Sequence, residues 1–409
     1  MAQEPNKRKG LKAALRSWLL GPVSSISRYA GLYSNGIDAG VVVNGDTALR
    51  YTAVYADIKL LSENIAGLPK HVMMKKGDGS YEPATKHPCY TLLSDRPNPY
   101  TDIFTFWFTI IGWLEGRGNA FAIIKYDKGA PVAWYQVHPD WVTVVFRNGE
   151  KMYVVKSNDP NFEFLDGTYL DFEMLHFMLF TNDGIIGIDP ISYNAAAIGV
   201  GIAAQKFSSD FFRTGGAIKG VLETEQGLGE EDYEHFINHF RAHSGNGETP
   251  LLEYGIKYKP INLSPEASQL LQTKTFSIDD IARIFTIPPH LLAELSHATF
   301  SNIEQQNIFF GEYTLRPICK RIEQQIELKM FQGAERRKYH VKFDLNGLMR
   351  GDATTRANFY STGINAGWLT PNEAREFEGM RQLPGLDKPR IPLNFGTVGD
   401  TPDGKAKEQ

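Results

Sequence analysis

Between Ser264 and Phe331 the chain reads as a helix stopped by two prolines, a short loop, and a long helix with a proline inside it. An internal proline removes one backbone hydrogen bond and presses its ring on the carbonyl one turn back, at roughly 3 kcal/mol. Ser264 caps the first helix, with Pro265 at its first position and Glu266 toward the positive end of the dipole. Leu271, Ile278, Ile281 and Phe285 give one apolar stripe, and Pro288 and Pro289 end it. After a loop from Leu291 to Phe300, Ser301 and Glu304 form a capping box ahead of Ile308, Phe309 and Phe310. The second helix runs to Phe331, with the bend from Pro317 centred on Tyr313 to Arg316. Lacking a catalytic constellation, the unit suits a part that positions something. Two ordinary core helices with a proline between them read the same way.

The rest of the chain is of the α+β class. In TAVYADIKLLSENIAGLP, Val54, Ile58, Leu61 and Ile65 recur at helical spacing before Gly67 and Pro69. A short hairpin around Gly77 to Gly79 and a buried helix through Trp107 and Trp113 follow. FAIIKY, VAWYQV, VTVVF and KMYVV read as strands, separated by Gly129, Pro139 and the hairpin dipeptide Asn148-Gly149. Asp189 and Pro190 launch one helix, rich in small residues, that closes at Gly215-Gly216. An insert follows with a strand at GVLETE, a helix led by Glu230, Glu231 and Asp232, and a second strand pair near LLEYGIKY. After the strand KYHVKFDL, Arg350 to Met380 is helical, with a capping box of Thr370, Pro371 and Glu373.

Six motifs stand in one order along this frame: RPNPY (96–100), GNAF (118–121), DGIIGIDPI (183–191), SIDDIARIFTIPPHLL with TFSNIEQQN (277–307), RGDATTRANFY (350–360) and LTPNEAREFEGM (369–380). In that order the chain resembles the portal proteins of tailed bacteriophages, HK97 type, over nearly everything between Tyr51 and Asp387. The resemblance implies a portal fold: a mobile N-terminal arm (1–46), an α+β wing (47–188), a first stem helix (189–216), a clip insert (217–263) and a second stem helix (264–288). A tunnel loop (289–300), a kinked helix (301–331), a wing return strand (332–349), a small helical crown (350–387) and a disordered tail (388–409) complete it.

The same resemblance implies a ring, typically twelve-fold, at one capsid vertex, through which double-stranded DNA is packaged and later ejected. Its partners would be further copies of itself, the DNA, the large terminase, a head-tail adaptor and the major capsid protein. Such a protein resides in the virion, and in the host cytoplasm during assembly, and is not an enzyme; neither cofactor nor metal is implied. The channel constriction would fall on Leu295, Ser296, His297, Ala298 and Thr299 of the tunnel loop, and Pro317 would be the kink. With no lysine or arginine there, contact with DNA is steric and apolar, except that His297 protonates below about 6.5. In the clip, Glu223, Glu225, Glu230 and Glu231 would dock terminase or adaptor.

A net charge of -4 argues against a sequence-specific DNA binder, whose affinity comes chiefly from Lys and Arg on phosphates. In a ring every wall lysine is repeated, so weak attraction suits a duplex that must slide. Cys89 and Cys319 lie far apart and read as reduced, buried thiols. The opening MAQEPNKRKGLKAALRSWLLGP reads as an amphipathic arm rather than a signal peptide. Ile103 to Leu114 is too short to span a bilayer, so no membrane is expected. His235, His239 and His243 share one helix face, but at 1.5 Å per residue they span about 12 Å, too far for all three to reach one zinc ion. Neither a Walker loop nor a GxSxG elbow is present. A non-enzymatic DNA-binding or capsid scaffold protein, and a zinc-dependent enzyme using two of those histidines, remain as other classes.

Overall fold

Val54, Ile58, Leu61 and Ile65 are buried along one side of helix α1 (Thr52–Gly67), as their spacing requires. The computed structural model describes residues 24–25, 36–38, 41–147, 149–213, 220–225, 227, 229–244, 255–260, 278–292, 306, 308–345 and 353–389. The chain forms two units, Met1–Asp344 and Leu345–Gln409. In the first, α1 gives way to extended backbone at Leu68, ahead of Pro69. Lys70 opens strand β1 (Lys70–Lys75) and returns its ammonium to the carbonyls of Ala66 and Leu68, at 2.7 Å each. This satisfies acceptors at the negative end of α1. Strand β2 (Tyr81–Pro83) pairs with β1, and helix α2 (Pro88–Ser94) follows. Helix α3 (Ile103–Arg117) begins where the Asp102 carboxylate accepts the Thr105 N–H at 2.8 Å. It packs along α1 and buries Phe106, Trp107, Ile110, Ile111 and Leu114. Among the described residues no helix is long and apolar enough to cross a membrane.

Strands β3 (Asn119–Asp127) and β4 (Ala130–Val137) form a hairpin whose turn residues, Lys128 and Gly129, take φ of 50° and 85°. Two positive φ values match the right-handed twist of the strands. Strands β5 (Val142–Arg147) and β6 (Glu150–Val155) pair across a turn in which Gly149 takes φ 83°. Two further strands, β7 (Gly167–Leu170) and β8 (Met174–Met178), are absent from the sequence reading; both are short. They complete antiparallel sheets of order β5–β6–β7 and β8–β3–β4. Ser24–Ser25 adds to the free edge of β5, and Gly36–Asp38 pairs with Val41–Val43, so part of the expected arm carries strands. Phe121, Val137, Tyr153, Val155 and Met174 are among the residues forming the core here.

The helix expected as one run after Pro190 is two: α4 (Pro190–Tyr193) and α5 (Ala195–Arg213). Asp189 caps the first as its spacing suggests, accepting from Ile191 and Ser192. Asn194 separates the two with φ -107° and ψ 26°, its amide donating to the Pro190 carbonyl at 2.8 Å. A side-chain donor bound four residues back competes with the helix. Strand β9 (Gly220–Glu223) precedes helix α6 (Glu230–Ser244). Of the strand pair expected near LLEYGIKY, 251–254 lie outside the described residues; the described strand, β10 (Lys257–Pro260), follows left-handed Gly255 and pairs back onto β9.

The expected helix start at Ser264 lies outside the described residues. Its described end, 278–284, stops before the prolines assigned that role. Thr286 adopts φ 56°, its N–H bonds Arg283 at 3.2 Å, and the Ile287 N–H bonds Ala282 at 2.8 Å. This is a Schellman ending, made here by a β-branched residue in a conformation such residues rarely accept. Pro289 opens a 3-10 turn, Pro289–Leu292. Further on, Phe310–Leu315 is a π-helical turn leading into helix α7 (Arg316–Met330). Strand β11 (Tyr339–Phe343) then pairs with β1, giving the sheet order β11–β1–β2.

The second unit contains helices α8 (Ala353–Asn365) and α9 (Pro371–Phe377). The Thr370–Glu373 capping box forms as expected. The MRQLPGLD segment folds back over α9: buried Asn372 donates to Leu383 O at 2.8 Å and to Asp387 at 2.7 Å, and accepts the Leu383 N–H at 2.9 Å.

Asp57 of α1 is fully buried with neither carboxylate oxygen partnered among the described residues, and burial pushes its carboxyl up to about 8. A carboxyl held above its unfolded value of 3.8 stabilises the fold while protonated, so this contribution falls as pH rises from about 4 to about 8. Asp57→Asn is expected to stabilise the protein at pH 8 by on the order of 1–3 kcal/mol, with the gain vanishing near pH 4. Thermal denaturation at both values checks this, and an equal gain at both would refute it.

Candidate functional site beneath the kinked helix

Gly118, at φ 69°, and Gly187 bring two backbone segments so close that neither tolerates a side chain. A Cβ on Gly118 would lie 2.0 Å from the Ile188 carbonyl oxygen, and one on Gly187 would lie 2.1 Å from that of Gly118. The Asn119 amide uses this approach to pair with the Gly187 peptide, donating to its carbonyl and accepting its N–H at 2.7 Å each. Oδ1 of Asn119 also faces Nε2 of His176 at 3.0 Å.

His176 lies in β8, 1% exposed, stacked on Phe121 at 4.3 Å. Around its Nδ1 stand Lys151 Nζ and the Tyr153 hydroxyl, each at 3.3 Å. An ammonium only donates, so Nδ1 accepts, and Nε2 carries the proton it gives to Asn119. Lys151 also donates to the Ile185 carbonyl at 3.1 Å, and Tyr153 reaches the Asp171 carboxylate at 3.5 Å. From α7, buried Lys329 donates to the Asp171 carbonyl at 2.7 Å and to its carboxylate. The same helix completes an edge strand: Glu323 and Glu327 accept the N–H groups of Phe343 and Val341 in β11, at 2.8 and 2.9 Å.

Burial, and then the charges of Lys151 and Lys329, hold His176 well below its usual range. Burial lowers Lys151 to about 8 against the pull of Asp171, and pushes Tyr153 up. In composition the set matches acid-base machinery. However, both nitrogens of His176 are occupied, and Tyr153 and His176 are closed to solvent. The network therefore clamps α7 to the sheets.

The structure distributes the sequence-predicted residues as follows. Leu295, Ser296, His297, Ala298 and Thr299 lie outside the described residues. Pro317 sits at the second position of α7, just after the π-turn, where the Arg316 N–H bonds Gly311 O. A five-residue hydrogen-bond step accommodates a position that has no N–H to give. On the insert, Glu223 stands 3.4 Å from Lys259 and Glu225 stands 3.9 Å from Lys257 across the β9–β10 pair. Glu230 and Glu231 are exposed in the first turn of α6, and His235 and His239 are exposed farther along it. Among the described residues no group of three or more His, Cys, Asp or Glu side chains could hold a metal ion. Cys89 and Cys319 are buried free thiols. The reading missed His176 and Lys329, although each interrupts an apolar pattern: His176 within MLHFM, and Lys329 in line with Ile322 and Ile326.

The family model for the phage portal protein matches residues 52–379, from α1 to just beyond α9. The chain belongs to the phage portal protein family. The probable portal protein of Streptomyces phage phiC31 is 32% identical over 89% of this chain and 82% of its own length. The portal protein of Enterobacteria phage HK97 is 27% identical over 92% and 91%. The fold is similar to a chain in the neck of a native gene transfer agent particle with C12 symmetry, at a TM-score of 0.55 and 20% identity, covering 91% of this chain and 100% of that one. In this portal-family chain GNAF and DGIIGIDPI meet at the Asn119–Gly187 contact. The RPNPY motif docks on β4 through Asn98, which donates to the Trp134 carbonyl at 3.0 Å.

A histidine kept neutral by the fold makes stability fall with acid. Its folded value lies below the unfolded 6.5, so the unfolded state takes up the extra proton, and stability present above pH 6.5 is lost below it. His176→Gln should cost about 2–3 kcal/mol at pH 7.5 and flatten the decline toward pH 5. Denaturant titrations across that range test it; an unchanged slope would assign the acid sensitivity to another group.

Proposed function

We propose that this chain is the protomer of a ring at one capsid vertex, forming the channel through which double-stranded DNA is packaged and ejected. Family membership from α1 to α9 supports the reading. The observation that carries it is the way the described segments on either side of 293–305 are tied at one place. Thr314, in the π-turn, donates its hydroxyl to the carbonyl of Thr286, where the preceding helix ends. A loop whose two arms share an anchor suits a projecting constriction. The tunnel-loop role therefore goes to 289–300, with His297 the one residue of its central part able to gain charge. The insert, 217–263, is the dock for terminase and adaptor, and its acids Glu230 and Glu231 are exposed for contact. Further copies of the chain, the DNA and the major capsid protein are the remaining partners. The protein acts without catalysis, in the virion and, during assembly, in the host cytoplasm.

Electron microscopy of the purified protein is expected to reveal a ring with a central hole about as wide as a duplex; a solitary subunit would refute the reading. Removal of 217–263 should abolish terminase binding in a pull-down while circular dichroism reports a folded body. Retained binding would move the dock elsewhere.

A further inference from the structure

A cavity of about 530 Å³ opens between the C-terminal end of α3, the start of α4, the Schellman ending and the π-turn. Glu115 lies in its wall, 4% exposed, with Oε1 lacking a hydrogen-bond partner among the described residues. A buried acceptor left unpaired costs about 1–3 kcal/mol. Three aromatic side chains at the opening stand mostly in solvent: Phe180 at 67%, Tyr193 at 69% and Tyr313 at 66%. Tyr313 extends the patch by packing on Phe309 at 4.7 Å, itself 45% exposed.

We infer that a side chain from a neighbouring copy of this chain enters the cavity and gives Glu115 its missing hydrogen bond, while the aromatic rim packs on the same neighbour. The inference rests on the ring proposed above. A small ligand seated inside would leave the rim in water, whereas a protein partner covers both a central pocket and the apolar ring around it. A ring closes by heterologous contacts, in which every subunit presents one receiving face and one different, entering face. The cavity is such a receiving face, and it is incomplete in one subunit alone. Its chemistry also selects the guest. Arg321 lines the same wall, donating to the Leu179 carbonyl, and acts electrostatically on Glu115. A second cation meets that guanidinium, so the entering donor is neutral: an amide, a hydroxyl or an indole N–H.

The test places the photo-crosslinking amino acid p-benzoylphenylalanine at Tyr193 of the full chain. Irradiated rings should yield covalent dimers on denaturing gels, with peptide mapping locating one segment of the neighbour that carries a neutral donor. Rings that form but give no dimers, an adduct with another virion protein, or a small molecule retained in native mass spectrometry would each overturn the inference and leave the ring intact. Absence of rings by electron microscopy would remove the reading it rests on, and this one with it. As a second arm, Glu115→Leu should raise the subunit concentration for half-assembly about tenfold and Glu115→Gln much less. Equal assembly by both would also overturn it.

Discussion

At Gly118 and Gly187 two peptide segments touch where any side chain would collide, and the amide of Asn119 pairs across that contact as a strand would. Much of the first unit depends on this pairing. It holds the segment after β8 against the start of β3, and it sets the proton position on His176. Through Lys151, Tyr153 and Asp171 the order extends to Lys329, and so to the helix that carries Pro317. A fully satisfied polar network in a low-dielectric interior specifies one arrangement, because each alternative leaves a donor or acceptor bare.

That anchoring explains how a helix can tolerate its own break. Beyond Pro317, Ile318, Ile322, Ile326 and Met330 are buried, and two glutamates complete an edge strand. The C-terminal part is thus held by packing, and the irregular spacing required by proline falls on the turn before it. Thr314 of that turn is in addition tied to Thr286, a β-branched residue in a left-handed conformation. Strain of this kind persists where surrounding contacts over-determine the backbone, and it concentrates at working parts of proteins.

Two buried carboxyls stand apart from this network. Asp57 and Glu115 lie on the packed pair α1 and α3, and burial pushes each up to about 8. They differ in situation. Asp57 is sealed and carries only a stability penalty, whereas Glu115 borders an opening and has somewhere to find a partner.

Helix α1, the β3–β4 and β5–β6 hairpins, the Asp189 and Thr370 caps and the site of the helix irregularity were legible in the residues, because each depends on spacing, φ preference or capping within a few positions. The ordered motifs likewise sufficed to indicate the portal family. Strands β7 and β8 were not legible, since four or five residues carry too little periodicity, and β8 hides a histidine in an apolar run. Nor were the helix stop at Thr286, the division at Asn194, the Asn119–His176–Lys151 network or the Glu115 cavity. The network and the cavity are settled by what a residue meets across long separations, Asn119 with Gly187 and Lys329 with Asp171, whereas the stop and the division rest on local hydrogen bonds that Thr and Asn seldom make at such positions. Local chemistry determined the elements, and only the packed chain decided which polar groups would be paired, because pairing depends on neighbours that no local pattern contains.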